Sequence, residues 1–157
     1  GQNQSEVWGA HRCARRAHPL FASLSMSSDG SLVFEGAHDG YRRLDGKPVH
    51  RRRIVWKGTS LNVEDSVEGT GIHKIQARLH FHPDLNVFMR DGRAVVEEQG
   101  QRLLTVSLLG QGVLELTKGI YCPEFGLVQP CAVIQITVER SALPFFGGWQ
   151  IELDEIS

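Results

Sequence analysis

Short stretches of alternating apolar and polar residues, each ended by a glycine, proline, aspartate or asparagine turn, recur every 10 to 15 residues along this sequence. No long helical period competes with them, and a chain patterned this way folds as β-structure or not at all. The run Ile72 to His82 shows the pattern best. Ile75, Ala77, Leu79 and Phe81 fall on one face, while Lys74, Gln76, Arg78, His80 and His82 fall on the other. One face belongs to a core and the other meets water or a ligand.

Candidate strands are Leu20 to Met26, Ser31 to Gly36, Val49 to Lys57, Ser60 to Val67, Ile72 to His82, Leu85 to Arg90, Ala94 to Glu98, Leu103 to Leu109, Val113 to Thr117, Ala132 to Glu139 and Gln150 to Leu153. Ser28-Asp29-Gly30, Asp45-Gly46, Asp91-Gly92 and Gly110-Gln111-Gly112 supply turn residues that tolerate positive φ. The expected fold class is all-β, an antiparallel sandwich of two packed sheets. No internal repeat or linker-like stretch divides the chain, so residues 1–157 are expected to form one domain.

At 157 residues and 41% hydrophobic content, such a domain buries enough surface to fold without staples. The longest apolar runs, Leu103 to Gly110 and Ala132 to Val138, are far short of a membrane span. Three cysteines, Cys13, Cys122 and Cys131, form no C-x-x-C pair. They read as buried free thiols, with a small Cys122–Cys131 loop as the alternative. The opening Gly1 to Ser5 has no recognisable start and no secretory signal, which suggests a piece of a longer protein.

The formal charge of −1 hides an asymmetry: residues 1–60 hold 10 Lys/Arg and 5 Asp/Glu, residues 61–157 hold 7 and 13. A basic first part attracts polyanions, and charge alone does not separate nucleic acid from acidic polysaccharide. With no aromatic RNA-binding strand and no zinc-finger spacing, nucleic acid is not the expected partner. Serine and cysteine nucleophile motifs are also missing. His80 and His82 carry Asn86 where an H-x-H metal site of the cupin kind has glutamate, so they read as a structural strand end.

The run GAHDGYRRLDGKPVHRRRIVWKG, from Gly36 to Gly58, followed by ARLHFHPDL, from Ala77 to Leu85, resembles the C-terminal β region of heparinase II/III-type polysaccharide lyases. The family pattern of H-D-G-Y-x-R-L, a basic H-R-R strand, an acidic pair and H-x-H-P falls here on His38 to Leu44, His50 to Arg53, Val63 to Asp65 and His80 to Pro83. The opening GQNQSEVWG, Gly1 to Gly9, also resembles the family, and the likeness weakens after about residue 100.

The resemblance implies a longer bacterial, periplasmic lyase with an N-terminal α/α toroid, cleaving uronate-containing acidic polysaccharides by β-elimination. Its partners would be that glycan and its own toroid, and the fragment alone would be inactive. The alternative is a non-catalytic carbohydrate-binding or structural module.

For single residues, the resemblance makes His38 a candidate ligand for one divalent metal, zinc or calcium. Its partners would come from an upstream hairpin, so the fragment alone is expected to hold no metal. The bland reading is a turn histidine stacked on Tyr41. Tyr41 itself is a candidate acid or base, with a structural role favoured, because its ordinary pKa near 10 needs a positive neighbourhood to serve as a base. Arg42, Arg51 and Arg53 are candidates for binding glycan carboxylate or sulfate through the planar guanidinium fork. Alternation separates Arg51 and Arg53 from Arg52, which shares a face with His50 and Ile54, and at least one of the three is expected to pair with a carboxylate inside the sheet packing.

Overall fold

The computed structural model describes residues 2–9 and 12–154, and they form thirteen strands with no helix. A hairpin of β1 (Glu6–Gly9) and β2 (Arg12–Ala14) precedes the rest. The strands β3 (Pro19–Met26), β4 (Leu32–His38), β5 (Val49–Lys57), β6 (Ser60–Glu68), β7 (Ile72–His80), β8 (Asn86–Arg90), β9 (Arg93–Glu98), β10 (Gln101–Gly110), β11 (Val113–Tyr121), β12 (Gln129–Ala142) and β13 (Phe145–Leu153) follow.

Eight of them form a large antiparallel sheet in the order β3-β4-β5-β6-β13-β10-β9-β8, and three form a small one, β11-β12-β7. The sandwich expected from the alternation is what forms. All eleven candidate strands are present, and Gly30, Gly46, Asp91, Gly92, Gly110 and Gly112 sit at positive φ as the turns require; among the described residues no helix is long and apolar enough to cross a membrane.

The core lies between the sheets. Val63, Ala94, Val96, Val106, Trp149 and Ile151 from the large sheet meet Ile134 and Ile136 of β12 and Phe81 just beyond β7. Ile134, Val96, Val106 and Val133 are the largest side chains buried essentially completely. Each contributes roughly 1.5–3 kcal/mol by leaving water. Val133 to Val138, β-branched but for Gln135, suits the central strand of the small sheet, where Ile134 and Ile136 on one side and Val133 and Thr137 on the other are all buried. Ala77 and Leu79 of β7 pack against this core and Gln76 and Arg78 point away, as the period-2 reading required.

All three cysteines are free, and only Cys131 is buried. The buried-thiol expectation therefore holds for Cys131 and fails for Cys13 and Cys122, which lie on an exposed hairpin strand and an exposed loop.

The ten residues between β4 and β5 make successive turns, closed by hydrogen bonds from the amides of Arg42, Leu44 and Lys47 to the carbonyls of Asp39, Tyr41 and Leu44. Gly46 ends them at φ 76°, pressed on the backbone of Thr70, whose amide donates to the Gly46 carbonyl at 3.1 Å. A methyl group there would run into the Thr70 carbonyl oxygen. Gly46→Ala is expected to cost on the order of 1–3 kcal/mol in urea unfolding. An unchanged midpoint would mean that the turn holding Tyr41 relaxes freely.

Candidate functional site

The alternation that buries Val63 and Trp149 also puts polar residues on the same inner face. Across the large sheet, Leu24, Phe34, Ile54, Val63 and Trp149 form one row of direct cross-strand partners. One row over, Ala22, Gly36, Arg52, Asp65 and Gly147 are partners, and at the sheet's end His38 stands opposite His50. Arg52, Asp65, His38 and His50 therefore share the core-facing side of β4, β5 and β6, beyond the last apolar row.

Their hydrogen bonds run in one direction. The Gly40 amide donates to His38 Nδ1 at 3.2 Å, which leaves the proton of that ring on Nε2. His38 Nε2 lies 3.0 Å from His50 Nδ1, and His50 Nε2 lies 2.7 Å from Asp65 Oδ1. These partners place a proton on Nε2 of each ring, each donating toward the Asp65 carboxylate. Arg52 closes the far end with a two-pronged contact, Nε and Nη2 donating to Oδ1 and Oδ2 of Asp65 at 2.7 and 2.9 Å. The expected arginine–carboxylate pair within the sheet is thus Arg52 with Asp65, which is 5% exposed. Long-range proton–nitrogen correlation spectra of the imidazoles should give both rings the Nε2–H pattern at neutral pH; a proton on Nδ1 of His38 would contradict the assigned direction.

Electrostatics agree with this arrangement. Burial pushes the Asp65 carboxyl up, but hydrogen bonds from His50 and Arg52 outweigh it and hold the group below its ordinary value. Burial, with the neighbouring His50 adding to it, lowers His38 and keeps it neutral. Tyr41 rests its ring against His38, centroids 5.5 Å apart and tilted by 47°. Burial raises its phenol above the ordinary value, and Arg43 and Arg52 pull it down without reversing that. The phenol therefore keeps its proton at neutral pH.

The structure thus brings His38 and Tyr41 together, and it adds His50, Arg52 and Asp65. Asp39, next to His38 in sequence, does not orient that ring; it accepts the His18 amide at 2.8 Å, which lowers its pKa. Arg42 lies in the turn beside Tyr41. Arg51 and Arg53 sit on the opposite face of β5, Arg51 over the Phe21 ring at 5.0 Å and Arg53 between Glu35 and Glu64 at 3.5 and 3.3 Å. Arg15 and Arg43 meet Glu6 at 3.3 Å, and Lys57 meets Asp29 at 2.7 Å, so much of the positive charge in the first part is answered within the chain. Arg43 also donates to the carbonyls of Asn3, Gln4 and Gly40, tying the leading segment to the Tyr41 turn. His82 packs on Tyr121 at the end of the small sheet, in keeping with a structural strand end.

For a metal, the donors fit poorly. His38, His50 and Asp65 form a line and do not converge on a point, and both nitrogens of His38 already face partners. Among the described residues no group of three or more His, Cys, Asp or Glu side chains is placed to share an ion.

The family described as heparinase II/III-like, C-terminal, matches residues 1–149. The chain belongs to that family. Among solved structures this heparinase-like domain is similar to the heparan sulfate lyase HepC from Pedobacter heparinus, with a TM-score of 0.69 at 11% identity over 90% of this chain. It is also similar to the heparinase III BT4657 gene product, with a TM-score of 0.67 at 12% identity over 90% of this chain. The matched region is 22% of each of those chains, and the likeness is one of fold. No curated protein matches the sequence.

Proposed function

We propose that this heparinase-like domain is the C-terminal β-sandwich of a longer polysaccharide lyase that cleaves uronate-containing acidic glycans by β-elimination, and that it is inactive alone. Elimination needs the uronate carboxylate neutralised, a base for the C5 proton and an acid for the departing O4. The observation that carries the reading is Tyr41, a partly buried phenol whose ring rests on His38 at the polar end of the inner face. Tyr41 would protonate O4 of the leaving sugar. His38, held by Gly40 and His50, would fix the ring position, and Arg52, with 42% of its side chain exposed, would stand near the substrate carboxylate.

This chain offers no unoccupied histidine nitrogen in the cluster, so the base would come from the toroid. A metal on His38 would have to displace the Gly40 amide or His50, and no step is routed through one. The glycan role first assigned to Arg51 and Arg53 would be played on the other face of β5, away from the acid. The periplasmic setting belongs to the same reading and rests on the family resemblance.

A second reading, a non-catalytic structural or carbohydrate-binding module, is favoured by one observation: both ring nitrogens of His38 and of His50 already have partners within the domain. Ultraviolet absorbance of unsaturated uronate product on heparan sulfate, chondroitin sulfate and alginate separates the two. The lyase reading expects product from the longer polypeptide and none from the 157-residue chain. Product from the isolated chain would show that its base is misassigned, and none from either would favour the binding module.

A further inference from the structure

On the outer side of the large sheet, Phe21, Ala37, Arg51, Ser66 and Phe146 are direct cross-strand partners on β3, β4, β5, β6 and β13. The row reads ring, small, guanidinium, small, ring. Phe21 is 38% and Phe146 67% exposed, whereas Ala37 is 8% exposed, because Arg51 leans across it to lie 5.0 Å from the centre of the Phe21 ring. Gly148, the next outward position of β13, puts no side chain beside Phe146. A single exposed ring needs no explanation, but two in register with a cation form a surface of defined chemistry.

Arg51 differs from the other cations on this side of β5. Arg53 stands between Glu35 and Glu64 at 3.5 and 3.3 Å, and Lys57 meets Asp29 at 2.7 Å. Arg51 pairs with no carboxylate among the described residues and is held only by the Phe21 ring. A guanidinium packed on an aromatic face keeps its donors in one plane, ready for a two-pronged contact with a carboxylate or sulfate. Strands lie roughly 4.8 Å apart, so about 10 Å separates β5 from β13. Ser66 forms a low floor between them.

We propose that this row binds an acidic oligosaccharide, one sugar unit lying above Ser66 with its apolar face on Phe146 and its carboxylate or sulfate on Arg51. The mixture of groups decides the class of ligand. A protein surface docking on the two rings would bury a guanidinium without a partner, which is costly. A sugar acid supplies that partner, and the C–H groups on one face of its ring suit the negative face of phenylalanine. Glu35 and Glu64 in the next row oppose a continuous phosphate backbone, so the ligand carries its negative groups at intervals. The row lies on the other side of β5 from Arg52. The proposal rests on the reading that the ligand is an acidic glycan, and not on elimination at Tyr41.

Affinity electrophoresis of the longer polypeptide through gels holding heparan sulfate, chondroitin sulfate or alginate tests it, with kcat read on the same variants by unsaturated-uronate absorbance. Arg51→Gln and Phe146→Ala each alter an exposed side chain, so folding is not at stake. Each should weaken binding to the glycan that retards the wild type roughly tenfold, the loss of one charge-assisted contact or one stacked ring, and leave kcat unchanged. Arg53→Gln removes the same charge one row over and should change binding by less than about twofold. Full retention of Phe146→Ala, or equal losses in Arg51→Gln and Arg53→Gln, would overturn the proposal in favour of bulk charge. A wild type that no gel retards, or variants that lose kcat and keep retention, would overturn it as well. Retention in the predicted pattern without any product would support this site and remove the elimination reading.

Discussion

Asp65→Ala is expected to lower the melting temperature by roughly 6–12 °C, the equivalent of about 3 kcal/mol in a chain of this size. The variant leaves the His50 Nε2–H and the Arg52 guanidinium facing an empty space between strands. Removing one partner of a buried pair costs more than the pair contributes, because the other is stranded. The figure sits at the low end of the range for buried pairs because 42% of the Arg52 side chain is exposed and water takes up part of its charge.

The pH dependence follows from the same carboxylate. Its folded pKa lies below the ordinary 3.8, so its contribution is fully present above that value and is lost as pH falls through the folded pKa. The gap between wild type and Asp65→Asn should stay constant near neutrality and close only below pH 3.8. A melting shift for the alanine variant within about 2 °C, or a gap that closes near pH 6, would remove Asp65 from the centre of the cluster.

The sandwich was readable because its cause is local: alternation places side chains and positive-φ turns place hairpins. What the alternation missed were segments held by distant contacts. β1 and β2 are too short to alternate, and Arg43, some 30 to 40 residues away, anchors the segment that leads into them. β13 starts at Phe145 and not at Gln150, because Gly147 and Gly148, poor strand residues, lie opposite Asp65 and Glu64 in the sheet.

The site was half readable. His38 and Tyr41 stood out through the H-D-G-Y pattern, but their link to Asp65 depends on the register His38 with His50 and Arg52 with Asp65. The first of these registers is set by the ten-residue turn between β4 and β5, whose geometry no short signal encodes. One clue was present: Arg52 shares its parity with Ile54, and Asp65 with Val63, so both are charged residues on a side that should be apolar. Charges placed there together are expected to pair.

The most direct test of the proposed lyase reading is the turnover number of Tyr41→Phe in the longer polypeptide, followed by unsaturated-uronate absorbance on whichever of heparan sulfate, chondroitin sulfate and alginate gives product. The variant keeps the ring on His38 and removes only the phenolic proton donor, so folding is not at stake. The account predicts a fall in kcat of roughly 10²–10⁴-fold, the usual contribution of a positioned acid, with KM little changed. His38→Ala should follow with a smaller loss, because it displaces the donor without removing it. A Tyr41→Phe enzyme with wild-type kcat would contradict the catalytic reading and leave the cluster as the structural centre of a supporting module.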